Sequence, residues 1–378
     1  MKTLTLKGMS DRWGQVIREN SNVIYNIGIR NGLAGFALFF HYRAERFSEQ
    51  KDTDTFYGFF EECINRFNRG YKHEAWLFDI TDLIYLIKET NTQLSKVYDI
   101  QALLNQLVDS LAFGMKKLLE HQIFDPFVGA FYPAFCFMSE YPRHPSVKIL
   151  RDTLVQYAQI DHQGDLYFNS RFSDDKVYLS IGHGISAYIV FLSNYLEVHP
   201  DDLEVKSLLD SFLKFLINQK NKTDFRSFFG DFVGDKSITS LSLCYGDCGI
   251  IYALIRGSKI TQNTLIYNVA LKMATLNGRR AVKSIKTQND ISLLYGASGM
   301  HLYFDLMAKI CSDEFSQEVG TRWKNKTYEL LSTDLESQIS MDKSRLFKLM
   351  SFQEGITGAI CSCLSDNKAL FLKMHYLN

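Results

Sequence analysis

Proline is scarce in this sequence. There are five in 378 residues and none beyond Pro200, so the second half lacks the residue that most often breaks helices. An excess of either charge is missing too. Lys and Arg number 42, Asp and Glu number 42, and no long basic or acidic block interrupts the balance. Nucleic acid and anionic membrane are therefore not expected partners. The longest apolar runs, such as Ala187–Leu192, are far too short to span a bilayer. The opening stretch MKTLTLKGMSDRWG has no apolar core of signal-peptide length, so no export signal is expected. Seven cysteines, an odd number without regular spacing, argue against a disulfide framework. A reducing, cytoplasmic setting follows from these absences. What the chain has in quantity is aromatic residues, 29 Phe and 20 Tyr, which suits a large helical core with much ring packing.

A pattern of turn and helix recurs along the chain. Asn31–Gly35 precedes FALFFHY, and Leu77–Asp82 precedes LIYLI. Asp125–Gly129 precedes AFYPAFCFM, and Ser180–Gly184 precedes ISAYIVFL. Cys244–Gly246 precedes DCGIIYALI, Leu294–Gly296 precedes ASGMHLYFDLM, and Gln353–Gly355 precedes ITGAICSCL. These are about seven copies at roughly 50–60 residue spacing, in which each unit needs its neighbours to bury its face. Each is a short polar turn that ends in Gly, except the second, followed by a helix that is apolar nearly all round and so belongs inside a protein. Glycines three apart leave bare spots on one helix face, where backbones approach closely.

Amphipathic helices lie between the copies. Ile100–Leu119 carries Ile100, Leu104, Leu107, Leu111 and Met115 on one stripe, and Leu203–Leu216 carries Leu208, Leu209, Phe212 and Leu216. Buried helix alternating with amphipathic helix predicts an all-α fold, a double α/α toroid of about seven inner helices sheathed by an outer ring. No linker breaks the chain, so residues 1–378 are expected to form one domain. The segments 162–173 and 224–235 read as short hairpins or lids. In such a ring Asp125, His183, Cys244, Tyr245, Tyr295 and Glu354 all sit on the turns and are expected to converge. Cys244, beside a helix N-terminus, is either a low-pKa thiol or a packed core cysteine. Asp125 also suits a cap for a helix begun by Pro126.

The chain resembles the lanthionine synthetase C-like (LanC-like) proteins, cyclase components of lanthipeptide biosynthesis. The matching stretches are NGLAG at 31–35, GHG at 182–184, CYG at 244–246 with Gly249, YGxxG at 295–299 and EGITG at 354–358. The resemblance implies a double α-toroid, a precursor peptide as substrate and a lanthipeptide dehydratase as partner. It also implies a zinc held by the Cys of CYG and a Cys-His pair before the next copy's Gly. Such a zinc activates a peptide thiol, and a nearby acid protonates the enolate left by conjugate addition.

The chain departs from that pattern at the metal. Cys244 is present, but Leu294 and Tyr295 stand where the Cys-His pair is expected. Leu binds no zinc, a neutral Tyr binds it poorly, and a catalytic zinc needs three protein ligands. The family's frequent arginine four residues before the CYG cysteine is Ser240 here. No metal and no other resident cofactor is therefore expected. Asp125 and His183 stand where the resemblance places an aspartate and its partner histidine, so the proton-transfer half of the site is kept.

His183 is thus a candidate acid or a satisfied structural histidine. Tyr245 and Tyr295 are candidate hydrogen-bond donors to a carbonyl, or packing residues. Cys244, Cys248 and His183 are a conceivable makeshift metal set. Glu354 reads as a structural acceptor of backbone N–H groups, and His301 as core. Three functions remain open. The first is thioether ring formation by addition of a peptide Cys to dehydroalanine or dehydrobutyrine, without zinc. The second is a non-catalytic toroid that binds a precursor peptide or a dehydratase. The third, resting on Asp125 and Glu354 as a carboxylate pair, is glycoside hydrolysis.

Overall fold

The computed structural model describes residues 5–173, 176–221, 226–339 and 343–377. Among these residues there are seventeen α-helices, and the paired strands are Gln159–Ile160 and Leu166–Tyr167. Buried and amphipathic helices alternate as expected. The buried ones are Leu33–Phe47, Trp76–Glu89, Phe131–Glu140, Ile185–Val198, Asp247–Thr261, Ala297–Cys311 and Ile356–Leu364. The amphipathic ones are Leu6–Asn20, Gln50–Asn68, Ile100–Glu120, Pro145–Tyr157, Leu203–Asn218, Thr264–Ser284 and Glu314–Ile339. Ile185–Val198 shows the first type, with its residues buried from Ile185 to Leu196. Leu203–Asn218 shows the second, with Leu208, Leu209, Phe212 and Leu216 buried while Lys214 is exposed. No helix among the described residues is long and apolar enough to cross a membrane.

A helix buried at its N-terminus leaves amide groups without intrahelical acceptors. Here the preceding turn doubles back to supply them. An N–H at the helix mouth bonds the carbonyl seven residues earlier in Leu33→Asn26, Ala130→Ile123, Ile185→Tyr178 and Ala297→Asp290, at 2.9–3.0 Å. The closure brings the turn's glycine onto the carbonyl oxygen six residues earlier. A Cβ on Gly32, Gly129, Gly184, Gly246, Gly296 or Gly355 would lie 2.2–2.7 Å from that oxygen. Steric room, not left-handed backbone, is what demands glycine at most of these positions. The exception is Gly246, whose φ is 81°.

The second copy differs, as its missing glycine foretells. Leu77–Asp82 is not a turn: the helix already begins at Trp76, and His73 Nδ1 accepts the Ala75 N–H before it. Asp79 and Asp82 instead project from the helix to the first copy's turn. Asp82 accepts the Ile29 and Arg30 amides at 2.9 and 3.0 Å, and Asp79 accepts the Tyr71 hydroxyl at 2.6 Å. Burial, with Asp82 alongside, pushes the Asp79 carboxyl up to about 6.

Contacts group the chain into two units. Unit 1 comprises residues 1–111, 287–301 and 321–371, and unit 2 comprises 112–286, 302–320 and 372–378. In unit 1, Trp13 Nε1 donates to Thr357 Oγ1 at 3.0 Å. The buried Arg43 donates to Asp52 at 2.9 Å, and to Ser10 and Asp11 at 2.7 Å. Unit 2 is organised by rings. Tyr188 meets Phe131 edge-on at 4.9 Å and Phe168 at 4.6 Å, and Tyr376 stacks on Phe135 at 4.0 Å.

The segment 162–173 is part hairpin, part strap. Its N-terminal end completes the two-stranded hairpin, whose turn rests on Asp161 Oδ1 accepting the Gln163 and Asp165 amides. Of the segment 224–235, residues 224 and 225 lie outside the described residues. The remainder is an irregular loop in which Phe232 bridges Tyr178.

Three stability measurements check these forces. Gly355→Ala places a methyl 2.2 Å from the Leu349 carbonyl. A backbone atom yields little, so a loss of about 3 kcal/mol or more is expected in denaturant unfolding. Gly58→Ala, in a helix and facing open space, is expected to gain about 0.5–1 kcal/mol. Asp79 is a raised carboxyl, so its contribution works in reverse of the usual acid. Its charged form is disfavoured in the fold, and stability rises as pH falls from above 6 toward the unfolded carboxyl range. Asp79→Asn is expected to gain on the wild type at pH 8. That advantage should shrink by about 2 kcal/mol between pH 7 and 4.

Candidate functional site

The site is built in unit 2, on the turns before Phe131–Glu140, Ile185–Val198 and Asp247–Thr261. Asp125 opens the first turn and is 1% exposed. Its Oδ1 accepts the Phe127 and Val128 amides at 2.7 and 2.8 Å. Asp125 therefore caps a turn and not the expected helix, because the residues after Pro126 are a turn and the helix starts only at Phe131. Two buried hydroxyls pin the loop around it. Tyr188 donates to the Phe124 carbonyl and Tyr376 to that of Pro126.

His183, on the next turn, faces the same carboxylate. Its Nδ1 lies 3.2 Å from Oδ1 and 3.1 Å from Oδ2 of Asp125. A carboxylate only accepts, so the shared hydrogen belongs on Nδ1. Nε2 makes no hydrogen bond among the described residues and is the ring atom left for chemistry. The imidazole is 5% exposed because aromatic rings enclose it. Phe172 stacks on it at 3.7 Å, Phe127 meets it edge-on at 5.6 Å, Tyr245 is tilted at 5.5 Å, and Tyr178 stands at 6.3 Å.

Cys244 and Tyr245 form the third wall. The Gly182 N–H donates to the Cys244 carbonyl at 3.1 Å. A Cβ on Gly182 would lie 2.4 Å from the Cys244 sulfur, so that thiol packs directly on the residue before His183. The turn places Asp125, His183, Cys244 and Tyr245 together, as the repeat led us to expect. The first turn of the following helix also carries a carboxylate, Asp247. Asp247 accepts the Phe228 and Phe229 amides and the Arg280 guanidinium at 2.7–3.1 Å. Burial still pushes its carboxyl up against those stabilising partners. Cys248 points elsewhere, with its sulfur accepting from Asn277 at 3.4 Å.

The remaining candidates lie in unit 1. Leu294 is buried and donates its N–H to the Gln353 carbonyl. Tyr295 is half-buried, with its N–H on Ser292 Oγ at 3.2 Å. His301 is buried, as expected of a core residue. Glu354 differs from expectation. Its carboxylate is exposed, 3.8 Å from the Lys348 ammonium, and accepts no backbone N–H among the described residues. The reason is that Ser351 Oγ already serves the amide of this turn, at Glu354 N.

Among the described residues, no group of three or more His, Cys, Asp or Glu side chains is placed to hold a metal ion. Sequence reasoning missed Phe172, Phe127 and Tyr178 around the imidazole and the Asp247–Arg280 pair. A lone aromatic in a loop carries no signal of what it will cover.

Comparison with known proteins places the chain. The model of the lanthionine synthetase C-like protein family matches residues 23–370, and the chain belongs to that family. Its fold is similar to that of the solved nisin cyclase, with a TM-score of 0.74, and the fold class is the α/α toroid. That match covers 98% of this chain and 96% of the other at 13% sequence identity, so it is a likeness of fold. No curated protein matches the sequence significantly.

Two substitutions separate the two jobs of Asp125. Asp125→Asn keeps an acceptor for the Phe127 and Val128 amides. It is expected to unfold in urea within about 1 kcal/mol of the wild type. Asp125→Ala leaves both amides without that acceptor and is expected to cost about 2–3 kcal/mol. Both should release the Nδ1–H form of His183, read from imidazole nitrogen shifts.

Proposed function

We propose that this protein is a lanthipeptide cyclase-like enzyme of the reducing cytoplasm. It closes thioether rings by adding a peptide Cys thiol to a dehydroalanine or dehydrobutyrine of the same precursor, without the zinc of its family. The observation that carries this reading is the buried Asp125–His183 pair, with Nδ1 held and Nε2 left to react. The peptide's sulfur bonds Cβ of the dehydro residue, and the C=C electron pair moves to give an enolate. The thiol loses its proton to solvent, protonated His183 gives its Nε2 proton to Cα, and solvent then restores the proton on Nε2. Asp125 holds the ring's Nδ1 edge throughout. Tyr245 offers a hydrogen bond to the enolate oxygen. The aromatic walls keep water from the enolate until the proton arrives. A dehydratase that prepares the substrate is the partner this chemistry requires.

A second reading, a non-catalytic toroid that binds the precursor or the dehydratase, is favoured by Leu294 and Tyr295 where zinc ligands are expected. One assay separates the two. Purified protein is incubated with a dehydrated, Cys-containing peptide, and free thiols are counted by mass tagging. The wild type is expected to consume thiols at a rate that a chelator leaves unchanged. His183→Ala is expected to lose roughly 10²–10⁴-fold. Persisting thiols, with peptide bound, establish the binding reading instead. Stoichiometric zinc whose removal stops the reaction overturns the metal-free mechanism.

A further inference from the structure

The strap that follows the hairpin carries the aromatic ring that lies closest to the imidazole. Its start is anchored in the core. Phe168 is buried and packs against Phe124, Phe131 and Tyr188 at 4.6–6.2 Å. Its bend is held on the surface. Arg171 adopts a left-handed backbone, with φ at 56°. A bulky residue enters that region only when its surroundings impose it. Three contacts do so here. The Arg171 amide donates to Asn169 Oδ1 at 2.9 Å, its guanidinium donates to Gln122, and the same group lies over the Phe124 ring. The bend turns the next side chain, Phe172, inward onto His183. The rings lie 3.7 Å apart and 16° from parallel. The outer side of Phe172 stays open, at 37% exposure, while the imidazole beneath is 5% exposed.

We infer that Phe172 is a positioning residue for ring closure, fixing the imidazole so that Nε2 presents its proton to one face of the enolate. The inference rests on the cyclase reading and adds a stereochemical consequence to it. Protonation at Cα creates a stereocentre, and its hand is set by the side from which the proton comes. Asp125 fixes one edge of the imidazole but leaves it free to roll about the hydrogen-bonded Nδ1. A ring lying flat on its face stops that roll. The aromatic strap therefore governs product configuration, while the carboxylate governs which nitrogen carries the reactive proton.

The test compares the wild type with Phe172→Ala and Phe172→Tyr, the second of which keeps a flat ring. The first readout needs no substrate. Stacking shifts the His183 ring protons upfield, so this shift is expected in the wild type and Phe172→Tyr and lost in Phe172→Ala. The second readout is the product of a dehydrated peptide, hydrolysed and separated on a chiral column. The wild type and Phe172→Tyr are expected to give one Cα configuration, and Phe172→Ala a mixture. Phe172→Ala should also lose roughly 10- to 100-fold in kcat with little change in KM. A single configuration from Phe172→Ala at an unchanged rate, with the upfield shift gone, overturns the inference. An upfield shift that survives in Phe172→Ala overturns it as well. A wild type that forms no ring sinks the cyclase reading, and the histidine signals then decide the positioning role alone.

Discussion

Six turns among the described residues share one constraint, a glycine at which a Cβ would collide with the carbonyl oxygen six residues before it. That constraint comes from burial. A helix apolar on every side cannot leave its first amides to water, so the turn must reach back with its own carbonyls. Where a hydroxyl follows two residues after the glycine, it joins the same closure. Ser186, Ser298 and Thr357 each donate to the carbonyl seven residues earlier. A side chain at the glycine would hold the turn open and strand those groups. The functional residues sit inside these closures. His183 lies between Gly182, which is packed on Cys244, and Gly184, which is packed on Tyr178. The geometry of the candidate site is therefore a by-product of how each buried helix begins.

Periodicity and glycine spacing made the helices and their order legible before any coordinates. The stripe from Ile100 to Met115 and the runs after Gly184 and Gly246 could only be amphipathic and buried helices respectively, and they are. Leu77–Asp82 was misread because a polar turn and the polar face of a helix look alike over six residues. Asp82 serves a neighbouring turn and Asp79 a tyrosine hydroxyl, tertiary facts with no local sign. Asp125 and His183 were legible as a pair through the family pattern, and the contact at 3.1 Å bears out their proximity. Phe172 was not legible. Its position depends on a left-handed arginine, and nothing in the letters Arg171-Phe172 announces that backbone.

Asp125 shows how one carboxylate is shared between folding and chemistry. Two backbone amides and one imidazole N–H converge on its oxygens. The amides hold the carboxylate in place whatever the state of the histidine. The histidine is then oriented by a group that does not itself need orienting. Asp247 is built in the same way, with amides from Phe228 and Phe229 on one side and Arg280 on the other. There the third partner is a fixed guanidinium, and the result is an anchor. The difference between an anchor and a candidate proton relay is a single residue, a group that can exchange its proton in place of one that cannot.

This contrast bears on how a cyclase could manage without its metal. Zinc contributes thiolate at neutral pH, and the dehydro residue contributes an electrophile of its own making. Conjugate addition to such an acceptor is reversible until Cα is protonated, so the step that commits the ring is proton delivery. A site that keeps the acid, fixes its orientation and screens the enolate from water therefore retains the part of the chemistry that cannot be left to solution. The thiolate, by contrast, is supplied by any peptide cysteine at the fraction its own acidity allows. Under the proposed function, a site short of metal ligands is slower at the first step, while a site without the Asp125–His183 pair lacks control of the last.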